Sequence, residues 1–196
     1  MKGIRHKDEE PRKDDREAPI EIAIVGELTD NESDILENLL EVEPQGECTI
    51  YINCEGGSVY SALSIVSLIR LRDIRARGVV LSDCSSAALW IFAACKKRFV
   101  TPYTTALFHP MKWQSEERSL VIEAEEWAKH FGALERDMDG LLAQLFGAQE
   151  ELIRKWSHPG RYVTGREMAE AGLAELIDLA PFPELFWDEP EEQGGK

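Results

Sequence analysis

The sequence predicts an α/β fold in which buried parallel strands alternate with helices. Between residues 20 and 110, runs of β-branched and apolar residues are followed repeatedly by runs with one apolar helical face. The strand-like runs are apolar almost throughout, which is typical of parallel strands that are covered on both faces. Alternation of this kind builds βαβ units, and we therefore expect a largely parallel sheet with helices packed on it.

The composition indicates one globular domain. Of the 196 residues, 43% are hydrophobic, and five are tryptophan. A chain of this length can bury a full core. We divide it into a charged tail at 1–18, a single domain at 19–180 and an acidic tail at 181–196. The net charge of −15 disfavours nucleic acid as a partner, because nucleic acid binds to basic faces.

Membrane, secretory and metal-binding classes find no support in the sequence. No apolar run approaches the roughly 18 residues of a transmembrane helix, and Met1–Arg16 lacks the apolar core of a signal peptide. We therefore expect a cytoplasmic protein without membrane contact. The cysteines have neither the spacing of a zinc site nor the context of a disulfide framework, so we predict reduced core thiols, no metal and no cofactor. They are Cys48, Cys54, Cys84 and Cys95.

Each element in the first half of the domain has its own signal. Ile20–Val25 and Cys48–Asn53 are β-branched strands, and Asn31 is a candidate cap for the helix between them. The turn at 55–58, Glu-Gly-Gly-Ser, leads into a second helix with one apolar face. The other predicted elements are a strand at Val79–Leu81, an all-apolar and hence buried helix at Ala87–Ala94, and short strands at Phe99–Val100 and Thr105–Phe108.

From about Leu120 to Phe146 the sequence predicts one long helix. Six apolar residues recur along it at steps of three and four, which is heptad spacing. Such a stripe can pack on the helix's own sheet or on the same helix of a neighbouring subunit. On an otherwise charged helix it suits an oligomer interface. The stripe consists of Trp127, Phe131, Leu134, Met138, Leu141 and Leu145.

In the last part of the domain, the sequence pattern predicts a helix that begins with a capping box. Thr164 is placed to cap this helix, and Glu167 stands at its third position, where the carboxylate can reach back to the cap. Gly172 ends the helix. The other elements predicted here are a short helix at Leu152–Trp156 and a last strand at Leu173–Leu179.

Ser86 and His109 are candidates for acyl-transfer chemistry. Ser86 opens the buried third helix, where backbone amides lack intrahelical partners, and His109 ends a buried strand. The N–H of Ala87 and an amide in the turn at Gly57, which has no obstructing side chain, are candidate donors to an oxyanion. From these residues alone, helix-capping serines and a hydrogen-bonded core histidine explain the pattern more simply.

Five short motifs spread over roughly residues 20 to 180 change this interpretation. They are Ile50-Tyr51-Ile52-Asn53-x-x-Gly56-Gly57-Ser58-Val59, Ser86-Ala87-Ala88, Lys97-Arg98-Phe99-x-x-Pro102, Phe108-His109 and Tyr162-x-Thr164-x-x-Glu167-x-x-Glu170-x-Gly172-Leu173. In combination they resemble the proteolytic subunit of the Clp protease. The resemblance implies a crotonase-like fold of stacked βαβ units with a long protruding handle helix, which corresponds here to the helix at 120–146.

The resemblance also implies a function and an assembly. Heptameric rings would pair through the handle helices into a hollow tetradecamer, which hydrolyses polypeptide substrates in its chamber and is fed by an ATP-driven AAA+ unfoldase. Under this resemblance Ser86 is the nucleophile and His109 the general base. Gly57 and Ala87 supply the oxyanion-hole amides.

Two departures from the family pattern bear on activity. The family's turn Gly-x-Ala-Ala-Ser-Met-Gly is replaced by Ser82-Asp83-Cys84-Ser85-Ser86-Ala87-Ala88, so that a second serine, Ser85, precedes the candidate nucleophile. The family's triad aspartate is replaced by Gly160, and loss of such an acid can cost up to roughly ten-thousandfold in rate. The third member of the triad is therefore unknown. Glu116 or Glu117, a water or a backbone carbonyl could replace it.

Three functions remain open at this point. The first is a serine endopeptidase of the Clp type. The second is a catalytically weak or inactive subunit with a role in assembly, which Gly160 motivates. The third is another crotonase-fold enzyme that acts on acyl-CoA, in which the Ser86–His109 pair would be idle.

Overall fold

The computed structural model describes residues 20–112 and 120–180. The predicted tails at 1–18 and 181–196 lie outside the described residues, so the domain boundaries stay a prediction. The described elements are β1 (Ile20–Glu27), α1 (Leu28–Glu41), β2 (Glu47–Gly56), α2 (Val59–Leu71), β3 (Arg75–Cys84), α3 (Ala88–Ala94), β4 (Lys97–Val100), β5 (Thr105–Phe108), α4 (Val121–Phe146), α5 (Glu150–Ser157), β6 (Arg161–Thr164), α6 (Gly165–Glu170) and β7 (Glu175–Leu176).

The predicted parallel sheet is confirmed. Its strands lie in the order β1-β2-β3-β4-β7, and every neighbouring pair in this path is parallel. β5 leaves the path: it pairs with the end of β3 in parallel and with β6 in antiparallel orientation. β5 and β6 therefore branch from the main sheet at the end of β3, and His109 directly follows β5.

The strands are buried on one face, not on both as the apolar runs predicted. Along β2 the side chains of Cys48, Ile50, Ile52 and Cys54 are at most 1% exposed, and the residues between them are half-buried or exposed. α3 fits its expected role, because all but one of its seven residues are buried. The helices thus cover one face of the sheet.

α1 begins earlier than predicted, and Asn31 is not its N-cap. The helix starts at Leu28, which is fully buried, and Asn31 lies in its first turn. The Asn31 side-chain amide donates instead to two backbone carbonyls, those of Val25 at 3.0 Å and of Glu27 at 2.8 Å. The side chain therefore ties the end of β1 to the start of α1.

Three strands differ from their predictions. β3 is longer than the predicted Val79–Leu81 because it pairs with β2 from its first residue. The last strand is shorter than the predicted Leu173–Leu179, since only two of its residues find partners on β4. β6 was not predicted, because its four residues include only two with apolar or aromatic side chains and carry no periodic signal.

The apolar stripe of α4 packs partly within the subunit. Of the six stripe residues only Met138 is buried, with 4% of its surface exposed, whereas the buried Leu142 and Phe146, one and two turns further along, do not belong to the predicted stripe. At the other end of the helix, Val121 and Ile122 are 77% and 67% exposed. The C-terminal half of the helix thus packs within the subunit, chiefly against α3 and α5 and not directly on the sheet as the first alternative predicted, and its N-terminal end presents apolar surface.

The predicted core thiols are confirmed, since all four cysteines are free and buried. Burial raises the pKa of Cys48 to about 11 and that of Cys95 to about 12, which keeps these groups protonated. Among residues 20–112 and 120–180, no three His, Cys, Asp or Glu side chains are grouped to hold a metal ion. Within these same ranges no helix is long and apolar enough to span a bilayer.

The capping box of α6 is confirmed and extends to β6. Thr164 Oγ1 accepts the N–H of Glu167 at 3.3 Å, and the Glu167 carboxylate accepts the N–H of Thr164 at 2.8 Å. The same carboxylate pairs with Arg161. Three partners hold the pKa of Glu167 below its ordinary value. The hydrogen bond from the Thr164 N–H has the largest effect, and the Thr164 hydroxyl and Arg161 lower the pKa further.

We expect Glu167→Gln to remove a pH-dependent part of the stability. A carboxyl whose pKa is lowered by folding stabilises the folded state. This contribution is fully present above the pKa of the unfolded chain and is lost as the pH falls through the pKa of the folded protein. The side chain is 38% exposed, so screening limits the effect to about 1 kcal/mol or less. Urea unfolding at about pH 7 and about pH 3 measures it. Glu170→Gln on the same helix is the control; an equal pH effect in both variants would contradict the assignment.

Candidate active site

The candidate nucleophile sits on a strained turn between β3 and α3. Ser86 has a φ of +54°, in the left-handed region that non-glycine residues rarely adopt. Its N–H donates to the carbonyl of Leu107 at 2.9 Å, which fixes the turn against β5. Gly56 packs directly under the turn, because a Cβ at that position would lie 2.7 Å from the Cβ of Ser86. The glycine therefore lets the end of β2 approach the turn.

His109 follows β5 and lies within hydrogen-bond distance of this serine. The distance between His109 Nε2 and Ser86 Oγ is 2.8 Å, and that between His109 Nδ1 and the carbonyl oxygen of Pro110 is 2.6 Å. A carbonyl oxygen can only accept, so the Nδ1 atom carries a hydrogen. In the neutral ring, Nε2 then has a free lone pair, and Ser86 donates its hydroxyl hydrogen to it. This is the geometry of a nucleophile beside a general base.

The neighbouring Ser85 is engaged elsewhere. Its side chain is buried, accepts the N–H of Leu107 at 3.0 Å and donates to Asp83 Oδ1 at 2.5 Å. Of the two adjacent serine hydroxyls, only that of Ser86 makes a hydrogen bond to the histidine. The geometry thus distinguishes the two serines that the sequence left open.

A pocket of about 170 Å³ lies beside the Ser86–His109 pair. Gly57 lines it together with both of these residues, so the structure brings three of the predicted site residues into one cavity. Ala87 is fully buried, and its N–H finds no acceptor among the described residues. Apolar side chains make up much of the wall: Val59, Leu89, Trp90, Phe108, Met111, Met138 and Leu142.

Gly160 lies against His109, although it is 51 residues away in sequence by the difference of the two positions. β6 runs antiparallel to β5 with Phe108 opposite Arg161, which places Gly160 beside the end of β5. A Cβ at Gly160 would lie 3.2 Å from the Cβ of His109 and 3.1 Å from the carbonyl oxygen of Phe108. The glycine has a φ of +114°, which L side chains rarely adopt. The position next to the base therefore holds no carboxylate and has little room for one.

Two acidic residues of the pocket were not predicted. Glu135 and Asp139 line it from α4, one helical turn apart. A Glu135 oxygen accepts the N–H of Met111 at 2.9 Å, and Asp139 Oδ2 lies 2.8 Å from His158 Nε2. Neither has a hydrogen bond to His109 in the described structure. Their spacing of four on the long helix was the available signal, but both lie more than 20 residues from His109 and from Gly160 in sequence, so only the fold brings them to the pocket.

The Pro110 carbonyl was also missed as a specific partner, because a backbone carbonyl leaves no trace in residue identity. The two acids that the sequence suggested as substitutes, Glu116 and Glu117, lie outside the described residues. Within the described residues, the contact to the Nδ1 side of the ring is therefore a main-chain one.

Comparisons with known proteins agree on one family. The family model described as Clp protease matches residues 17–178. The chain is 28% identical over 163 residues to the ATP-dependent Clp protease proteolytic subunit 3 of Nocardia farcinica, covering 80% of this chain and 74% of that protein. It is 29% identical over 163 residues to the ATP-dependent Clp protease proteolytic subunit 1 of Corynebacterium diphtheriae, covering 80% and 78%.

A solved structure shows the same fold. A mutant of ClpP1 from Listeria monocytogenes superposes with a TM-score of 0.70 at 25% sequence identity, covering 81% of this chain and 91% of that one. This similarity confirms the predicted crotonase-like, ClpP-like fold. The family model covers most of the sequence, and together these findings show that the chain belongs to the Clp protease family.

Proposed function

We propose that this protein is a serine endopeptidase in which Ser86 is the nucleophile and His109 the general base. The observation that supports this most strongly is the hydrogen bond of 2.8 Å between Ser86 Oγ and His109 Nε2 at the edge of the pocket. His109 takes the hydroxyl proton as Ser86 attacks the carbonyl carbon of a peptide bond. It then passes this proton to the leaving amine, and a water molecule hydrolyses the acyl-enzyme by the same route.

In the proposed reaction, backbone amides stabilise the negative charge that develops on the carbonyl oxygen. The N–H of Ala87 immediately follows the nucleophile and has no acceptor in the described structure, so it is available to the oxyanion. The turn at Gly57 lines the same pocket and offers the second donor. Preorganised donors of this kind are worth roughly 3–4 kcal/mol each in transition-state stabilisation.

The orienting role of the triad acid falls to the Pro110 carbonyl in this proposal. The carbonyl fixes the tautomer of His109, because it accepts the Nδ1 hydrogen at 2.6 Å. It carries no net charge, however, and stabilises the imidazolium of the transition state less than a carboxylate does. We therefore expect turnover below that of a Ser-His-Asp triad but above that of a chain in which His109 is removed.

The second candidate is a catalytically weak or inactive subunit with a role in assembly. The observation that favours it is Gly160, which places no carboxylate beside His109. The acyl-CoA reaction has no such support, because it would leave the Ser86–His109 hydrogen bond without a role. The two remaining candidates differ in whether the site reacts, which a covalent probe can measure.

The proposal includes an assembly and a partner. Pairing of subunits through α4 would build a heptameric or tetradecameric chamber for polypeptide substrates, and an AAA+ unfoldase would feed it. The exposed apolar surface at the start of α4 supports this interface, and the relatives named ATP-dependent Clp protease support the ATP-driven partner. We place the assembly in the cytoplasm.

We expect a fluorophosphonate probe to label the wild-type protein at Ser86. Ser86→Ala should abolish labelling, while Ser85→Ala should still be labelled, because the Ser85 hydroxyl makes no contact with His109. Gel fluorescence and mass spectrometry of the labelled peptide measure both. Labelling of Ser85 in the Ser86→Ala variant would contradict the assignment. Absence of labelling in an assembled wild-type particle would favour the inactive subunit.

Replacing Gly160 by aspartate should not restore a triad. The left-handed φ and the Cβ contacts of 3.1–3.2 Å mean that any side chain there must displace the end of β5. We expect Gly160→Asp and Gly160→Ala each to lower the thermal midpoint by several degrees. Each should also lower the rate of fluorophosphonate labelling roughly tenfold. Gly160→Ala is the matched control for the strain. If aspartate raised the rate while alanine lowered it, the backbone would accommodate an acid and this account of the site would be wrong.

Charge placed on the apolar start of α4 should weaken the assembly. Val121 and Ile122 are exposed in the single subunit, so replacing both by glutamate should cost little folding stability while opposing an apolar interface. Light scattering should show a large oligomer for the wild type and a smaller species for the double variant. Lys129→Glu, also exposed on this helix, is the control. A wild-type monomer would contradict the proposed role of α4.

A further inference from the structure

We propose that Ser85 and Asp83 form a positioning link that holds β5, and His109 with it, against the nucleophile turn. This inference rests on the proposed peptidase function, because its consequence is the rate of attack by Ser86. Neither side chain contacts the pocket or a reacting atom, so both are positioning residues. The hydroxyl in this link comes from Ser85, a position where the family's turn pattern given above has alanine.

The link consists of two hydrogen bonds through one buried hydroxyl. Ser85 is 4% exposed; it accepts the N–H of Leu107 at 3.0 Å and donates to Asp83 Oδ1 at 2.5 Å. The bond to the carboxylate is charge-assisted and orients the hydroxyl, so that a lone pair faces Leu107. Leu107 is two residues before His109 in the chain. The hydroxyl therefore connects β3 to the strand that carries the base.

The pairing of β5 with β3 depends on few other contacts. Within the described residues the two strands share a single ladder pair, Asp83 with Thr105. Beyond it, Leu107 is held from the turn at both of its backbone groups. Ser86 donates its N–H to the Leu107 carbonyl at 2.9 Å, and Ser85 accepts the Leu107 N–H. Removing the Ser85 hydroxyl would leave one of these two bonds and an unpaired N–H at Leu107.

The link is itself anchored to β2. The Asp83 N–H donates to Asn53 Oδ1 at 3.3 Å, and the Ser85 N–H donates to the Cys54 carbonyl at 3.0 Å. The end of β2 continues into the glycine turn that lines the pocket. A shift of the Ser85 turn would therefore disturb the nucleophile and the base together.

Among residues 20–112 and 120–180 no side-chain acid bonds to the His109 ring, so within this part of the chain its position depends on the backbone of β5. Its Nδ1 atom bonds to the carbonyl of the next residue, Pro110, which moves with the same segment. This local bond sets the tautomer but cannot set the distance to Ser86. The contacts that fix β5 against the turn must do so. A misplacement of about 1 Å in such a pair can cost up to roughly a hundredfold in rate.

We expect Ser85→Ala to lower kcat for a fluorogenic peptide about tenfold, with KM changed less than about twofold. The rate of fluorophosphonate labelling should fall by the same factor. Asp83→Ala should lower kcat less, because the Ser85 hydroxyl can still accept from Leu107 but is no longer oriented by the carboxylate. Asp83→Asn should retain most of the activity, because its amide oxygen still accepts from Ser85. The double variant Ser85→Ala/Asp83→Ala should be no slower than Ser85→Ala alone, since Asp83 acts through the Ser85 hydroxyl.

Ser61→Ala is the matched control. Its hydroxyl is also buried and also donates to a carboxylate, that of Glu32 at 2.6 Å, but it does not contact β5. Its kcat should stay close to that of the wild type even if its thermal midpoint falls. Amide hydrogen exchange at Leu107 is the readout that does not require activity. Exchange should be faster in Ser85→Ala and Asp83→Ala than in the wild type or the control.

The outcomes separate this inference from the proposed function. An unchanged kcat in Ser85→Ala, a kcat loss no larger than that of Ser61→Ala, or a change confined to KM would overturn the positioning role. So would unchanged exchange at Leu107. If the wild type neither cleaves nor labels, the peptidase proposal fails, and Leu107 exchange alone then decides whether the link holds β5.

Discussion

The hydrogen bond between Ser86 Oγ and His109 Nε2 is the interaction on which the candidate site depends. Ser86 follows the end of β3 and His109 follows the end of β5. The two residues meet only because β5 leaves the main sheet and lies beside the end of β3. Close packing of Gly56 under the turn and the bond from Ser86 N–H to Leu107 hold them there. The pocket opens directly beside the pair, so that a bound peptide bond would meet both groups.

The Nδ1 side of the His109 ring meets no carboxylate within the described part of the chain, unlike the histidine of a Ser-His-Asp triad. The position beside His109 is held by Gly160, where the left-handed φ and the tight contacts would strain any side chain, and the ring bonds to the Pro110 carbonyl. A neutral acceptor orients the ring but does not balance the charge that it gains in the reaction. In the proposed peptidase, much of the precision of the site would then come from the backbone contacts between the serine turn and β5.

The sequence predicted most of the fold and the side chains of the candidate site, but not the partner of the His109 Nδ1 atom. The alternating apolar runs predicted the parallel sheet, and the structure brings three of the predicted site residues, Ser86, His109 and Gly57, to one pocket. β6 was missed because four mixed residues carry no periodic signal, yet this strand is what brings Gly160 to the base. The Pro110 carbonyl could not be predicted, since main-chain acceptors do not depend on residue type. Long-range pairing and backbone contacts thus account for what the sequence left open.

In the proposed mechanism a backbone carbonyl holds His109 in the state of a general base. Nitrogen-15 NMR of the imidazole in the assembled protein tests it most directly, because protonated and unprotonated ring nitrogens differ widely in chemical shift. We expect that in the neutral ring Nδ1 carries the hydrogen and Nε2, facing Ser86, is unprotonated. A hydrogen on Nε2 of the neutral ring would contradict it, since His109 would then donate to Ser86 and could not accept its proton.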